Sequence, residues 1–177
     1  MTDSERAFVS QHLHSAREAL FAAIAGLSES QACFRAGGED WSIAECVEHI
    51  AVTEDVLYGL VANGVAKPDG ASLDPSKDHR LAAAIVDRSR KVAAPEIVRP
   101  TGRFRSLAEA VQHFRVTRAQ TISFVADYAS DLRRQFCLHP VFGEIDCYRC
   151  LLLLALHPAR HAAQIEEIKR HQGFPKE

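Results

Sequence analysis

The sequence predicts an all-α protein, a four-helix bundle with one additional short helix. Two observations carry this. Apolar residues recur at three- and four-residue steps over four long segments, and Ser-x-x-Glu openings mark the start of two of them. A third observation is negative: only "RQFCLHPVF" hints at β structure, and it is too short to anchor a sheet. The chain has 177 residues, which suits one domain spanning residues 1–177 with a substantial core.

The first helix is expected from about Asp3 to Gly26, with Val9, Leu13, Ala16, Leu20, Ala23, Ile24 and Leu27 in one stripe and Gly26 as its stop. A polar, glycine-containing connection, "SESQACFRAGGED", follows. The second helix opens at Ser42, where hydroxyl and Glu45 carboxylate can each accept from the other's backbone N–H, a capping box. It is expected to end near Asn63-Gly64. After the irregular "KPDGASLDPSKD" comes the short helix, "DHRLAAAIVDRSRKVA", and then a stretch broken by Pro95 and Pro100. The third long helix opens at Ser106 with Glu109 three residues on. Its stripe is Leu107, Ala110, Val111, Phe114, Thr121, Ile122, Val125 and Tyr128. The fourth runs from about Asp146 to His171, closed by Gly173 and Pro175.

Composition narrows the function classes. Lys plus Arg is 21 against 23 Asp plus Glu, a formal charge of −2, so no nucleic-acid or membrane footprint is expected. The longest apolar run, "CLLLLAL", is far below the roughly 20 residues of a membrane span. The polar N-terminus lacks a signal-peptide pattern, and five cysteines argue against a disulfide framework. A soluble, cytoplasmic protein is the expectation.

Chemistry concentrates in "LLLLALHPARHAAQIEEIKRH". With His157 at 0° on the helical wheel, His161 falls at about 40°, Gln164 at about −20°, Ile168 at about 20° and Leu154 at about 60°. The two histidines therefore share the stripe that faces the core. They can be core residues satisfied by neighbours, or a pair that presents two nitrogens to one divalent metal. His49, on the flank of the second helix's buried stripe, is the candidate third ligand. Three neutral imidazoles leave coordination positions open, as in a working site, and suit Zn²⁺, Ni²⁺ or Fe²⁺ about equally. Pro158 removes a backbone donor directly after His157 and frees the Leu154 carbonyl, so a bend is expected there.

Other residues offer weaker signals. Arg118 lies within the third helix's apolar stripe and needs a partner, either a structural ion pair or the carboxylate of a bound thiol. Glu45 is a cap, or an orienting partner for His49 one turn away. Cys147-x-x-Cys150 matches a redox or zinc spacing, yet both thiols fall on the buried side of their helix. Trp41 reads as a packing residue at the helix entry. No Ser-His-Asp or Cys-His set is evident, and the Glu-x-x-His pairs of a di-iron bundle are absent.

"WSIAECVEHI" followed a hundred residues later by "LHPARHAAQIEEIKRH" resembles the DinB-like, YfiT-like superfamily of four-helix bundles. Its marks are Trp-Ser/Thr-x-x-Glu-x-x-x-His and His-x-x-x-His-x-x-Gln-Ile, here Trp41, Ser42, Glu45, His49 and then His157, His161, Gln164, Ile165. The resemblance implies a DinB-like fold and a divalent metal held by His49, His157 and His161. It also implies a small-molecule substrate and a homodimer. Members include transferases that join bacillithiol, mycothiol or glutathione to small electrophiles, a mycothiol-dependent isomerase, and many classed as metal-dependent hydrolases. The expectation is a metal-dependent thiol S-transferase or hydrolase with a low-molecular-weight thiol as possible co-substrate. The alternatives are a non-catalytic metal- or small-ligand-binding bundle and an interaction module whose histidines are merely core.

Overall fold

The computed structural model describes residues 1–67, 74–89 and 91–176. Half of the irregular stretch expected before the short helix, residues 68–73, therefore lies outside the described residues. Four long helices form the bundle: α1 (Asp3–Ile24), α3 (Ile43–Ala62), α5 (Leu107–Asp127) and α6 (Cys147–Lys169). The expected short helix is α4 (Asp78–Val86), and a single turn, α2 (Glu29–Ala32), lies in the polar, glycine-containing connection after α1. Its cap, Ser28 answered by Gln31, is the same device that opens α1 and α3.

The helix starts follow the sequence closely. At α3, the Glu45 N–H donates to the Ser42 hydroxyl at 3.2 Å and the Ser42 N–H donates to Glu45 at 2.8 Å. At α5 the exchange is one-sided. Ser106 accepts from the Glu109 N–H, but the Glu109 carboxylate turns to the Arg105 N–H and guanidinium. Asp146 caps α6 by accepting from the Arg149 N–H at 2.8 Å.

One expectation is overturned. "RQFCLHPVF" does anchor a sheet: β2 (Gln135–His139) is the middle strand of three, antiparallel to both β1 (Val65–Ala66) and β3 (Gly143–Asp146). Phe136 pairs with Val65 on one side and Asp146 on the other. The partners escape sequence reading because β1 is only two residues long and "GEID" lacks an apolar alternation. β1 reaches β2 because Gly64 has no side chain: a Cβ there would sit 2.3 Å from the Cys147 Sγ. At this end Arg133 ties α1, α4 and α6 together through Glu5 and Asp78, with its guanidinium 3.8 Å above the Tyr148 ring.

Two apolar clusters fill the bundle. One, near the sheet, joins Val9, Leu13, Leu57, Val61, Val125 and Leu151–Leu154. The other joins Leu20, Ile43, Val47, Ile50, Phe114, Ile165 and Ile168. Between them in sequence, on α3, α5 and α6, lie Glu54, Arg118, Thr121 and the histidine pair. Glu54 and Arg118 are 2% and 0% exposed. Among the described residues no helix is long and apolar enough to cross a membrane.

Candidate metal centre

α3 and α6 pack against one another, which places the N-terminal part of α3 beside the C-terminal part of α6. His49 and His161 are buried at 4% and 6% exposure, while His157 is half-buried. The Nε2 atoms converge: His157 Nε2 lies 3.2 Å from that of His49 and 3.0 Å from that of His161. One ligand atom from each of the three lies within 4.8 Å of the others. A tetrahedral cation with nitrogens at about 2.1 Å would set them about 3.4 Å apart, close to the spacing of the two pairs that include His157.

The opposite ring nitrogens fix the protonation pattern. His49 Nδ1 lies 2.7 Å from the Val98 carbonyl, which can only accept, so that nitrogen carries the proton. His161 Nδ1 lies 2.8 Å from Gln164 Oε1. The amide orientation is set in turn by Arg88, whose Nη1 donates to the same oxygen at 3.2 Å while Nε and Nη2 grip Glu167. Neutral His49 and His161 therefore both turn a bare lone pair toward His157, which has one Nε2 proton at most. A single Nε2 proton on His157 can serve one of these lone pairs at a time, so the other is left without a donor about 3 Å away. A cation at the centre removes that conflict, and the donor set fits one.

Electrostatics keep the rings neutral. Burial pushes all three imidazoles below the ordinary value, and the neighbouring histidines push His157 and His161 lower still, with Arg160 adding to both. The unfolded chain takes up protons at these histidines as pH falls below about 6.5, and the folded chain does not, so stability is lost in that direction. In chelator-treated protein the urea midpoint should be flat from pH 8 to about 7 and then fall. Each histidine contributes at most about 1.4 kcal/mol per pH unit. A midpoint that stays level down to pH 5 contradicts the buried, neutral triad.

The remaining candidates sort themselves by contact. Gln164 holds His161, as its place on the helix implies. Glu45 serves the helix cap and pairs with Arg35, and His49 is oriented by the Val98 carbonyl instead. Arg118 is fully enclosed, with Nη2 on Glu54 at 2.7 Å and on the Leu154 carbonyl at 3.1 Å, and Nη1 near the Leu13 carbonyl. That second bond answers Pro158: the carbonyl the proline leaves without a helical donor receives a guanidinium. α6 accordingly continues through Pro158 as one helix, and His157 and His161 keep ring centroids 4.4 Å apart. Trp41 covers the triad, 4.8 Å from the His49 ring and stacked on His161 at 6.4 Å. Cys147 and Cys150 are buried free thiols two turns or more before His157, away from the triad. Cys46, nearer by, is pushed up to about 12 by burial and is no nucleophile near neutral pH.

Sequence reading missed Arg88, Val98 and Glu48. Arg88 and Val98 sit in or beside irregular chain, and Val98 acts through its backbone, so no side-chain pattern marks either. Glu48 stood in plain view next to His49 but lies outside the family motif.

Comparison with known proteins decides the family. The model of the DinB superfamily matches residues 12–165. The chain belongs to the DinB superfamily. The uncharacterized protein YuaE of Bacillus subtilis (strain 168) is 26% identical over 144 residues, 81% of this chain and 86% of YuaE. The solved structure of YfiT from Bacillus subtilis superimposes with a TM-score of 0.63 at 14% identity, covering 99% of this chain and 91% of YfiT. YfiT is described as a probable metal-dependent hydrolase with an unusual four-helix bundle topology. At that identity the likeness establishes a shared four-helix bundle fold.

Proposed function

We propose that His49, His157 and His161 hold one divalent cation and that the protein is a metal-dependent enzyme acting on a small electrophile. The observation that carries the reading is the convergence of three neutral Nε2 atoms, two of them stripped of protons by their Nδ1 partners. When bound there, a cation would act as a Lewis acid and lower the pKa of a thiol or water that joins it. The chain's own part is positional. Val98 and Gln164 orient two of the ligands, and Trp41 shields them on one side. Half-buried His157 is the most exposed of the three ligands.

Thiol transfer and hydrolysis differ only in which nucleophile is supplied. The family resemblance supports a low-molecular-weight thiol as co-substrate, and YfiT's description supports water. Function as a homodimer belongs to the same reading.

Protein purified without a histidine tag should carry about one Zn²⁺, Ni²⁺ or Fe²⁺ per chain, or take it up on titration. Glutathione, bacillithiol and mycothiol, each offered with a generic electrophile, should then reveal metal-dependent thiol consumption, and ester substrates metal-dependent hydrolysis. No uptake of any of the three metals would leave the histidines as core residues. Uptake without turnover would favour a binding protein instead.

A further inference from the structure

Next to His49 on α3, Glu48 is 5% exposed, and its carboxylate is met by backbone rather than by a cation among the described residues. Three consecutive N–H groups donate to Oε1: Thr101 at 2.7 Å, Gly102 at 3.1 Å and Arg103 at 3.2 Å. The Gly102 N–H also lies 3.1 Å from Oε2. Successive N–H groups aimed at one anion form a concave nest, and the geometry needs a left-handed residue. Gly102 supplies it with φ +78°.

The held segment is the one that reaches the triad. Three residues before Thr101, Val98 presents the carbonyl that accepts the His49 Nδ1 proton. Pro100 between them has a fixed φ and no N–H to compete. The Arg103 guanidinium donates to the Ile97 carbonyl at 3.0 Å and ties the two ends of the segment together. Adjacent side chains of one helix thus hold this loop at two points: Glu48 fixes residues 101–103, and His49 meets residue 98.

We propose that Glu48 is a positioning residue for the metal centre, docking the 97–103 loop so that Val98 holds His49 in the tautomer that turns a bare Nε2 toward His157 and His161. For metal affinity this rests on the proposed function; for the tautomer of His49 it does not.

The test uses full-length protein with ¹⁵N-labelled histidine, metal-free at pH 8, and reads the His49 ring nitrogens. Zn²⁺ titration follows. Wild type should show His49 protonated at Nδ1. Glu48→Gln keeps the shape, loses the charge and sets an amide against the nest. It should mix the two tautomers and weaken Zn²⁺ binding about tenfold, the lower end of the range for groups that orient ligands. Glu45→Gln, which alters the cap of the same helix without touching the loop, should leave both readings at wild type. Gly102→Ala disturbs the nest through φ alone, since a Cβ there meets nothing within 4 Å. It should reproduce the tautomer change even if Glu48→Gln fails to fold. Gly102→Asn, whose side chain tolerates the left-handed region, should restore it. A wild-type ring signature in both Glu48→Gln and Gly102→Ala overturns the proposal. So does an equal disturbance by Glu45→Gln. A wild type that binds no Zn²⁺ sinks the metal reading and leaves the ring signature to judge the loop.

Discussion

Replacing His161 with alanine should abolish tight binding of a divalent cation while leaving the metal-free protein folded. The change removes one ligand of three, so the loss should exceed the roughly 100-fold upper range seen when only an orienting group is removed. In wild type, a metal at about a thousand times its Kd stabilises by about 4 kcal/mol, which for a chain of this size raises Tm by about 10 °C. That rise should vanish in the variant. The metal-free variant should unfold at the wild-type temperature or above it, because an imidazole facing an unmatched lone pair is a poorly satisfied group. Thermal unfolding of both proteins, each with and without Zn²⁺ or Ni²⁺, supplies the four values. A variant destabilised by about 1–3 kcal/mol in both conditions, beside a wild type indifferent to metal, would return His161 to the core.

Arg118→Met should cost about 3–5 kcal/mol, the usual penalty for leaving one half of a buried ion pair alone. Burial pushes the Glu54 carboxyl up and the Arg118 guanidinium down, and each is held back by the other's charge. Without Arg118, the hydrogen bond left to Glu54 among the described residues is that from the Thr121 hydroxyl at 2.8 Å, and the Leu154 carbonyl loses its donor. The two losses can be separated. Adding Glu54→Leu should recover the part due to the stranded carboxylate. Adding Pro158→Ala to Arg118→Met should recover the part due to the carbonyl, because a backbone N–H again reaches Leu154. Urea denaturation of these three variants and of Pro158→Ala alone measures both. Strict additivity of Arg118→Met and Pro158→Ala would mean that the guanidinium does not stand in for the missing helical donor.

Helix positions and the histidine pair were legible because both rest on local rules. Ser42 with Glu45 announces α3, and the four-residue step from His157 to His161 needs no knowledge of the rest of the chain. The approach of His49 was legible only as a possibility, since it depends on how α3 and α6 pack. The sheet was not legible. Val65 and Phe136 are 71 residues apart, and their pairing depends on Gly64 letting two segments close on each other. The groups that orient the ligands were hidden for another reason. Val98 acts through a carbonyl, which every residue has. Arg88 acts through Gln164 at a distance that no spacing encodes. Glu48 looked like one more charge on a helix, because its partners are three N–H groups more than fifty residues away.

The polar layer across the middle of the bundle has a consequence for which bundle is built. Leucine, valine and alanine stripes match one another in many alignments, and a helix displaced by one turn, about 5.4 Å, would still bury much of its apolar face. Such a slide of α5 along α3 would carry Arg118 away from Glu54 and leave two charges in a dry interior without partners. The same slide along α6 would strip the Leu154 carbonyl of its donor. Each misaligned packing therefore carries a penalty of several kcal/mol that the native one does not. Arg118, Glu54 and Leu154 separate the native alignment from its near neighbours and so hold α3 and α6 at the one offset where three imidazoles meet.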